Sequence, residues 1–172
     1  QAFALVDAAV QAVAPSGSLD ILVNNAGVEV RAPFADVTEA DYDRVLDTNL
    51  KGPFFLTQRF VRHRLDRKLG GKVINISSVH EDLPFPHFTS YCASKGGLRM
   101  MMRNLAIELA PAGITVNNIP PSGIETPMQH QSQAAGFLPP NEQMAASIPV
   151  GHLGTGDDIA AAVGFLCSEE AG

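Results

Sequence analysis

The sequence predicts an α/β fold in which a parallel sheet is covered by helices on both faces. Three nearly continuous apolar runs, Leu19 to Val23, Lys72 to Ser77 and Ile114 to Ile119, have the length of strands buried on both sides. Segments with apolar residues at steps of three and four alternate with them, as crossover helices do. No internal repeat or shift in composition divides the chain, so residues 1–172 read as a single domain.

Each element has its own signal. Phe3, Val6, Val10 and Val13 recur with helical spacing, and Pro15-Ser16-Gly17-Ser18 breaks that helix before the first strand. Thr38-Glu39-Ala40-Asp41 has the form of a capping box. It opens a long helix through Tyr42, Val45, Leu46 and Leu50, with a disturbance expected at Gly52-Pro53 before Leu56, Phe60 and Leu65. Gly70-Gly71 separates this helix from the second strand. A loop with Pro84 and Pro86 follows, then a helix that holds Tyr91 and Lys95 and runs through Leu98, Met101, Met102, Leu105 and Leu109. Beyond the third strand, Pro120 to Pro140 reads as irregular, and a last helix starts near Asp157 and carries Ile159, Val163 and Leu166.

Composition narrows the function. The 172 residues are 45% hydrophobic and 17% charged, with a formal net charge of −6. An acidic chain without a basic stripe argues against nucleic acid, and no apolar run approaches the length of a membrane span. Cys92 and Cys167 are far apart in helical segments, which argues against a disulfide framework and for a reducing, cytoplasmic setting. The five histidines show no metal-ligand spacing, so no metal site is expected.

The chemistry is carried by Tyr91-Cys92-Ala93-Ser94-Lys95. A four-residue step puts phenol and ammonium on one helical face, where a fixed cation would lower the phenol pKa and make a proton-transfer pair. Ser78 stands thirteen residues upstream at a strand end, and Asn49 lies in Asp47-Thr48-Asn49-Leu50. Asn24-Asn25-Ala26-Gly27 follows the first strand. In parallel sheets ligands bind beyond the carboxyl ends of the strands, where Asn24, Ser78 and the segment after Ile119 all fall.

Together these motifs resemble the short-chain dehydrogenase/reductase family over essentially the whole chain. The resemblance implies a partial Rossmann-like, doubly wound, three-layer sheet that lacks the family's first strands and its last one. It implies an internal fragment of an NAD- or NADP-dependent oxidoreductase: the Gly-rich pyrophosphate turn and the residue that separates the two cofactors have no counterpart here. By the same resemblance Tyr91 is the general acid-base, Lys95 its electrostatic partner and a ribose ligand, Ser78 a hydrogen-bond donor to the reacting oxygen, and Asn49 the holder of a relay water. Asn24, Ala26, Gly27, Pro121, Ile124 and Thr126 are expected to line the cofactor cleft. Ser122, where the family commonly has Gly, would strain that loop if its backbone had φ > 0. The stretch Ser77 to Phe88, with Gly27-Val28-Glu29, is similar to glucose 1-dehydrogenases, which makes Glu29 and His80, with Ser78 and Tyr91, contacts to a sugar or polyol. The alternatives are a 3-oxoacyl-carrier-protein reductase-like enzyme or a non-catalytic assembly module. Expected partners are a small alcohol or ketone and further copies of the chain, as a tetramer or dimer through the Asn49 and Lys95 helices.

Overall fold

Three short strands place the site. A computed structural model describes residues 2–13 and 18–171, so the helix break expected at Pro15 to Gly17 lies outside the described residues. Strands β1 (Ile21–Asn24), β2 (Gly71–Ile76) and β3 (Ile114–Ile119) form a parallel sheet in that order. The register sets Asn24 beside Asn75 and Asn75 beside Asn118, so three amides line up at the carboxyl ends.

The central strand meets the expectation of burial on both faces. Val73, Ile74 and Asn75 are all fully buried. Val73 packs with Phe60, Val61, Leu109, Ile114 and Val116 under helices α3 (Gly52–Leu65) and α4 (Thr89–Leu109), while α7 (Gly156–Cys167) packs against β2 and β3. Strand β1 departs from it, since Ile21 and Val23, which share one face by the period of two, are exposed. Helix α1 (Ala2–Val13) packs on α3 through buried Val6 and an Asp7–Arg59 ion pair.

The long helix opens as expected, with the Thr38 hydroxyl accepting from Asp41 N at 3.1 Å, and α2 spans Glu39–Leu46. The disturbance is a π-helical turn, Asp47–Lys51, whose wider bonding lets the Gly52 N–H reach Asp47 O. Pro53 follows and has no N–H to offer. The turn drives Asn49 fully into the interior. Helix α4 passes this turn closely at Gly97, where a Cβ would sit 2.8 Å from Leu50 Cδ2.

The segment from Pro120 to Pro140 is more ordered than its prolines suggest. It contains α5 (Pro127–Ala134), and α6 (Asn141–Ser147) starts directly after it. Thr126 caps α5 by accepting from Gln129 N at 3.2 Å, and Pro127 occupies the first turn, where a missing N–H costs nothing. Thr155 and Asp158 form a full capping box on α7. Cys92 and Cys167 are free thiols on α4 and α7. Among the described residues no helix is long and apolar enough to cross a membrane.

Gly70 and Gly156 make a matched pair for testing this packing. A Cβ on Gly70 would lie 2.5 Å from the Gly113 carbonyl oxygen, a backbone atom, whereas one on Gly156 meets nothing within 4 Å. Gly70→Ala should cost about 1–3 kcal/mol in urea denaturation. Gly156→Ala should be neutral or stabilising by up to about 1 kcal/mol.

Candidate active site

Ser78, Tyr91 and Lys95 converge beyond the end of β2. Ser78 ends the strand in extended backbone and caps a 3-10 turn, Val79–Glu81, its hydroxyl accepting from His80 N at 3.2 Å. The Tyr91 phenol, on the first turn of α4, is near enough to that hydroxyl for Ser78 to lower its pKa. Lys95 sits one turn on, with Nζ 5.6 Å from the Tyr91 ring centre and donating to Ile76 O at 2.9 Å. Tyr91 is 8% exposed and Lys95 4%, so both have lost nearly all their water.

Desolvation therefore outweighs the expected effect of the lysine on the phenol. Burial raises the Tyr91 pKa, the Ser78 hydroxyl and Arg31 oppose the rise, and Glu29 and Cys92 add to it. Burial also brings Lys95 down to about 8, with Glu81 opposing. Removing water disfavours phenolate and ammonium alike.

Asn49 is held more tightly than a water-binding side chain would be. Its Nδ2 donates to Val28 O at 2.8 Å and Ser94 Oγ at 3.2 Å, and its Oδ1 accepts from Val28 N at 2.9 Å. Asn24 also departs from its expected place in the cofactor cleft. Its Nδ2 turns into the sheet and donates to Asn75 Oδ1 at 2.8 Å and Thr57 Oγ1 at 3.1 Å. Asn75 then donates to Asn118, and Asn118 to Glu81, each at 2.9 Å. This ladder joins all three strand ends to the turn that Ser78 caps.

A cavity of about 690 Å³ opens over these residues. Gly27, Pro121, Ile124 and Thr126 line it with Ser78, Tyr91 and Lys95; Asn25 lines it where Asn24 was expected, and Ala26 does not. Ser122 is not among the non-glycine residues with positive φ, so the anticipated strain is absent. The short bridge Ile124 to Gly154 fixes the far wall.

Glu29 and His80 reach the cavity already partnered. The Glu29 carboxylate accepts from Ser132 of α5 and pairs with Arg31 Nε at 3.4 Å. Arg31 stacks on Phe88 at 4.0 Å and is flanked by Phe85 and Phe137 at 5.6 Å each. His80 Nδ1 bonds Leu83 O at 3.0 Å, and its ring packs against Phe85, Phe88 and Tyr91. Arg31, Ser132, Glu81 and the partners of Asn24 were missed from sequence. Only the Glu29-Val30-Arg31 charge pair, two residues apart in an extended segment, offered a local signal. Among the described residues no group of three or more His, Cys, Asp or Glu could hold a metal ion.

A family model described as enoyl-(acyl carrier protein) reductase matches residues 1–172. The chain belongs to the short-chain dehydrogenase/reductase family. It is 44% identical over 157 residues to 3β-hydroxysteroid dehydrogenase 1 of Eggerthella lenta, which covers 90% of this chain and 59% of that protein. Glucose 1-dehydrogenase 2 of Bacillus subtilis is 36% identical over 156 residues, again 90% of this chain and 59% of the relative. The crystal structure of a gluconate 5-dehydrogenase from Burkholderia cenocepacia in complex with NADP and tartrate superposes with a TM-score of 0.85 at 34% identity, over 98% of this chain and 64% of that one. The chain thus spans about three fifths of the length of these two curated relatives. In this short-chain dehydrogenase/reductase chain Ser78, Tyr91 and Lys95 line one cavity, and Asn49 lies behind them against Ser94.

The buried lysine gives the site a pH signature. Because Lys95 titrates near 8 when folded and at 10.5 as a free side chain, the unfolded state binds more protons between those values, and stability rises with pH across that window. From pH 7.5 to 9.5 its contribution should grow by about 2 kcal/mol. Urea midpoints of the wild type should show this increase, and Lys95→Met should remove it.

Proposed function

We propose that the enzyme carrying this chain is an NAD(P)-dependent oxidoreductase acting on a CH–OH group or the corresponding carbonyl. The convergence of Ser78, Tyr91 and Lys95 on one cavity, all three nearly closed off from water, carries the reading. In the reducing direction the Tyr91 hydroxyl gives its proton to the reacting oxygen and Ser78 holds that oxygen in place. Lys95 then stabilises the phenolate. When bound, the nicotinamide supplies or accepts the hydride.

The residues present fit the nicotinamide end of such a cofactor. Lys95, Tyr91 and Gly27 would hold the ribose, and Pro121, Ile124 and Thr126 the carboxamide. The buried Ser77 hydroxyl on the same cavity has no hydrogen-bond partner among the described residues, leaving it available to a ligand. The NADP in the gluconate 5-dehydrogenase complex supports the cofactor class, as NAD or NADP. With its amide committed, Asn49 would hold a relay water through its carbonyl, whose α-helical partner would be the N–H that Pro53 lacks.

The substrate reading follows from the cavity wall. A sugar or polyol would use Glu29 and His80, and the likeness to glucose 1-dehydrogenase 2 supports it. Those groups already bond Arg31, Ser132 and Leu83, so binding hydroxyls through them means breaking existing contacts. Leu83, Phe85, Phe88, Leu138, Met144 and Ile148 line the rest, which favours a secondary alcohol or ketone with an apolar body. The likeness to 3β-hydroxysteroid dehydrogenase 1 supports that second reading. Exposed Phe54 and Phe55 on α3 and Met100 and Ile107 on α4 support self-association through these helices as a dimer or tetramer.

Tyr91→Phe in the full-length enzyme should lower turnover by about 10²–10⁴-fold, much more than it weakens cofactor binding. Near-normal turnover would show that another group moves the proton. A polycyclic secondary alcohol should exceed glucose in kcat/KM. The reverse order, with Glu29→Ala losing about 1–3 kcal/mol of transition-state binding for glucose, would return the assignment to the polyol. A preference for a 3-oxoacyl thioester over both would select the acyl-chain reductase.

A further inference from the structure

The turn that Ser78 caps ends in a carboxylate with an unusual set of neighbours. Glu81 has a side chain 8% exposed, and its N–H donates back to Ser78 O at 2.9 Å. Its Oε2 accepts from Asn118 Nδ2 at 2.9 Å, and its Oε1 lies 3.7 Å from Arg99 Nε. Asn118 is itself fixed through Asn75 and Asn24, so the carboxylate terminates a chain of amides that crosses the whole sheet. Helix α4 runs directly over the turn: a Cβ on Gly96, next to Lys95, would be 3.7 Å from Glu81 O.

We propose that Glu81 is a positioning residue for the Tyr91–Lys95 pair, its buried carboxylate serving as the fixed counter-charge that keeps the Lys95 ammonium charged inside the fold. The inference rests on the oxidoreductase reading of the site.

The surrounding charges balance on that assignment. Arg99 pairs with both Glu81 and Asp82, which leaves one net negative charge facing α4, and Lys95 completes the balance. From the other side of the cavity Glu29 and Arg31 act on Tyr91 and pair with each other. Lys95 lies one turn before Arg99 on the same face of α4, the face under which Arg99 pairs with the Glu81 carboxylate; from β2 it receives the neutral Ile76 carbonyl, and Glu81 opposes the fall of its pKa on burial. A carboxylate in a poorly solvated position exerts this effect strongly, and its ties to Arg99 and Asn118 prevent it from swinging out to water.

The test uses the full-length, cofactor-free protein labelled at the lysine side chains, with the Lys95 signal assigned by its loss in Lys95→Arg. An NMR titration should place Lys95 near pH 8 in the wild type. Glu81→Gln keeps an oxygen to accept from Asn118 and removes only the charge, so the midpoint should fall by about one unit. The alkaline limb of ketone reduction should move down with it, and Glu81→Asp should restore both. Arg99→Met removes the cation competing for the carboxylate and should move the midpoint upward, which provides a second reading if Glu81→Gln does not fold. An unmoved Lys95 midpoint in either folded variant overturns the proposal, even if melting temperatures fall. A shifted midpoint in a protein with no nicotinamide-dependent activity would instead preserve the charge pairing and refute the oxidoreductase reading.

Discussion

The asparagine ladder across the strand ends is the constraint on which the rest of the site depends. Polar residues at the buried carboxyl ends of a parallel sheet are costly unless their amides are bonded, and here each NH2 supplies the next group, Asn24 to Asn75, Asn75 to Asn118 and Asn118 to Glu81, while Asn24 Oδ1 has no partner among the described residues. The ladder fixes the relative height of three strands and of the turn beyond β2. Ser78 is positioned because its turn is tied at both ends, by its own cap and by Glu81.

A second constraint comes from the helix pair. The π-helical turn at Asp47–Lys51 adds a residue to the helix and points Asn49 inward, where it ties the loop after β1 to α4 through Val28 and Ser94. Gly97 lets α4 approach this turn, and the approach sets where Tyr91 and Lys95 lie against the sheet. The two constraints meet at Lys95, whose ammonium is almost dry and donates to the Ile76 carbonyl. Such an arrangement lets a lysine act on a neighbouring phenol without first shedding water.

Much of this was legible in the chain. The strands announce themselves as apolar runs, and Ile114–Ile119 was read with its observed limits, because burial on both faces leaves a pattern that does not depend on distant partners. The expectation for Asn49, Ser78, Tyr91 and Lys95 came from the family resemblance, and three of them line one cavity. The structure differed where a side chain has two equally ordinary uses. Asn24 could face the cleft or the sheet, and only the register with Asn75 decides. Glu29 could bind a hydroxyl or an arginine, and the choice depends on α5, which the prolines around it concealed even though Thr126-Pro127 is a helix start. The phenol pKa was read with the wrong sign because burial, the larger effect here, is a tertiary quantity.

The account stands on direct hydride transfer with the proton handled separately by Tyr91, and isotope tracing tests it most directly. The full-length enzyme is given a ketone substrate and a reduced nicotinamide carrying deuterium on the transferable face of C4, and the product alcohol is examined by mass spectrometry and NMR. The account predicts one deuterium, bonded to the carbinol carbon and not exchanged with solvent. A product whose carbinol hydrogen comes from water, or no reduction with either nicotinamide, would contradict it.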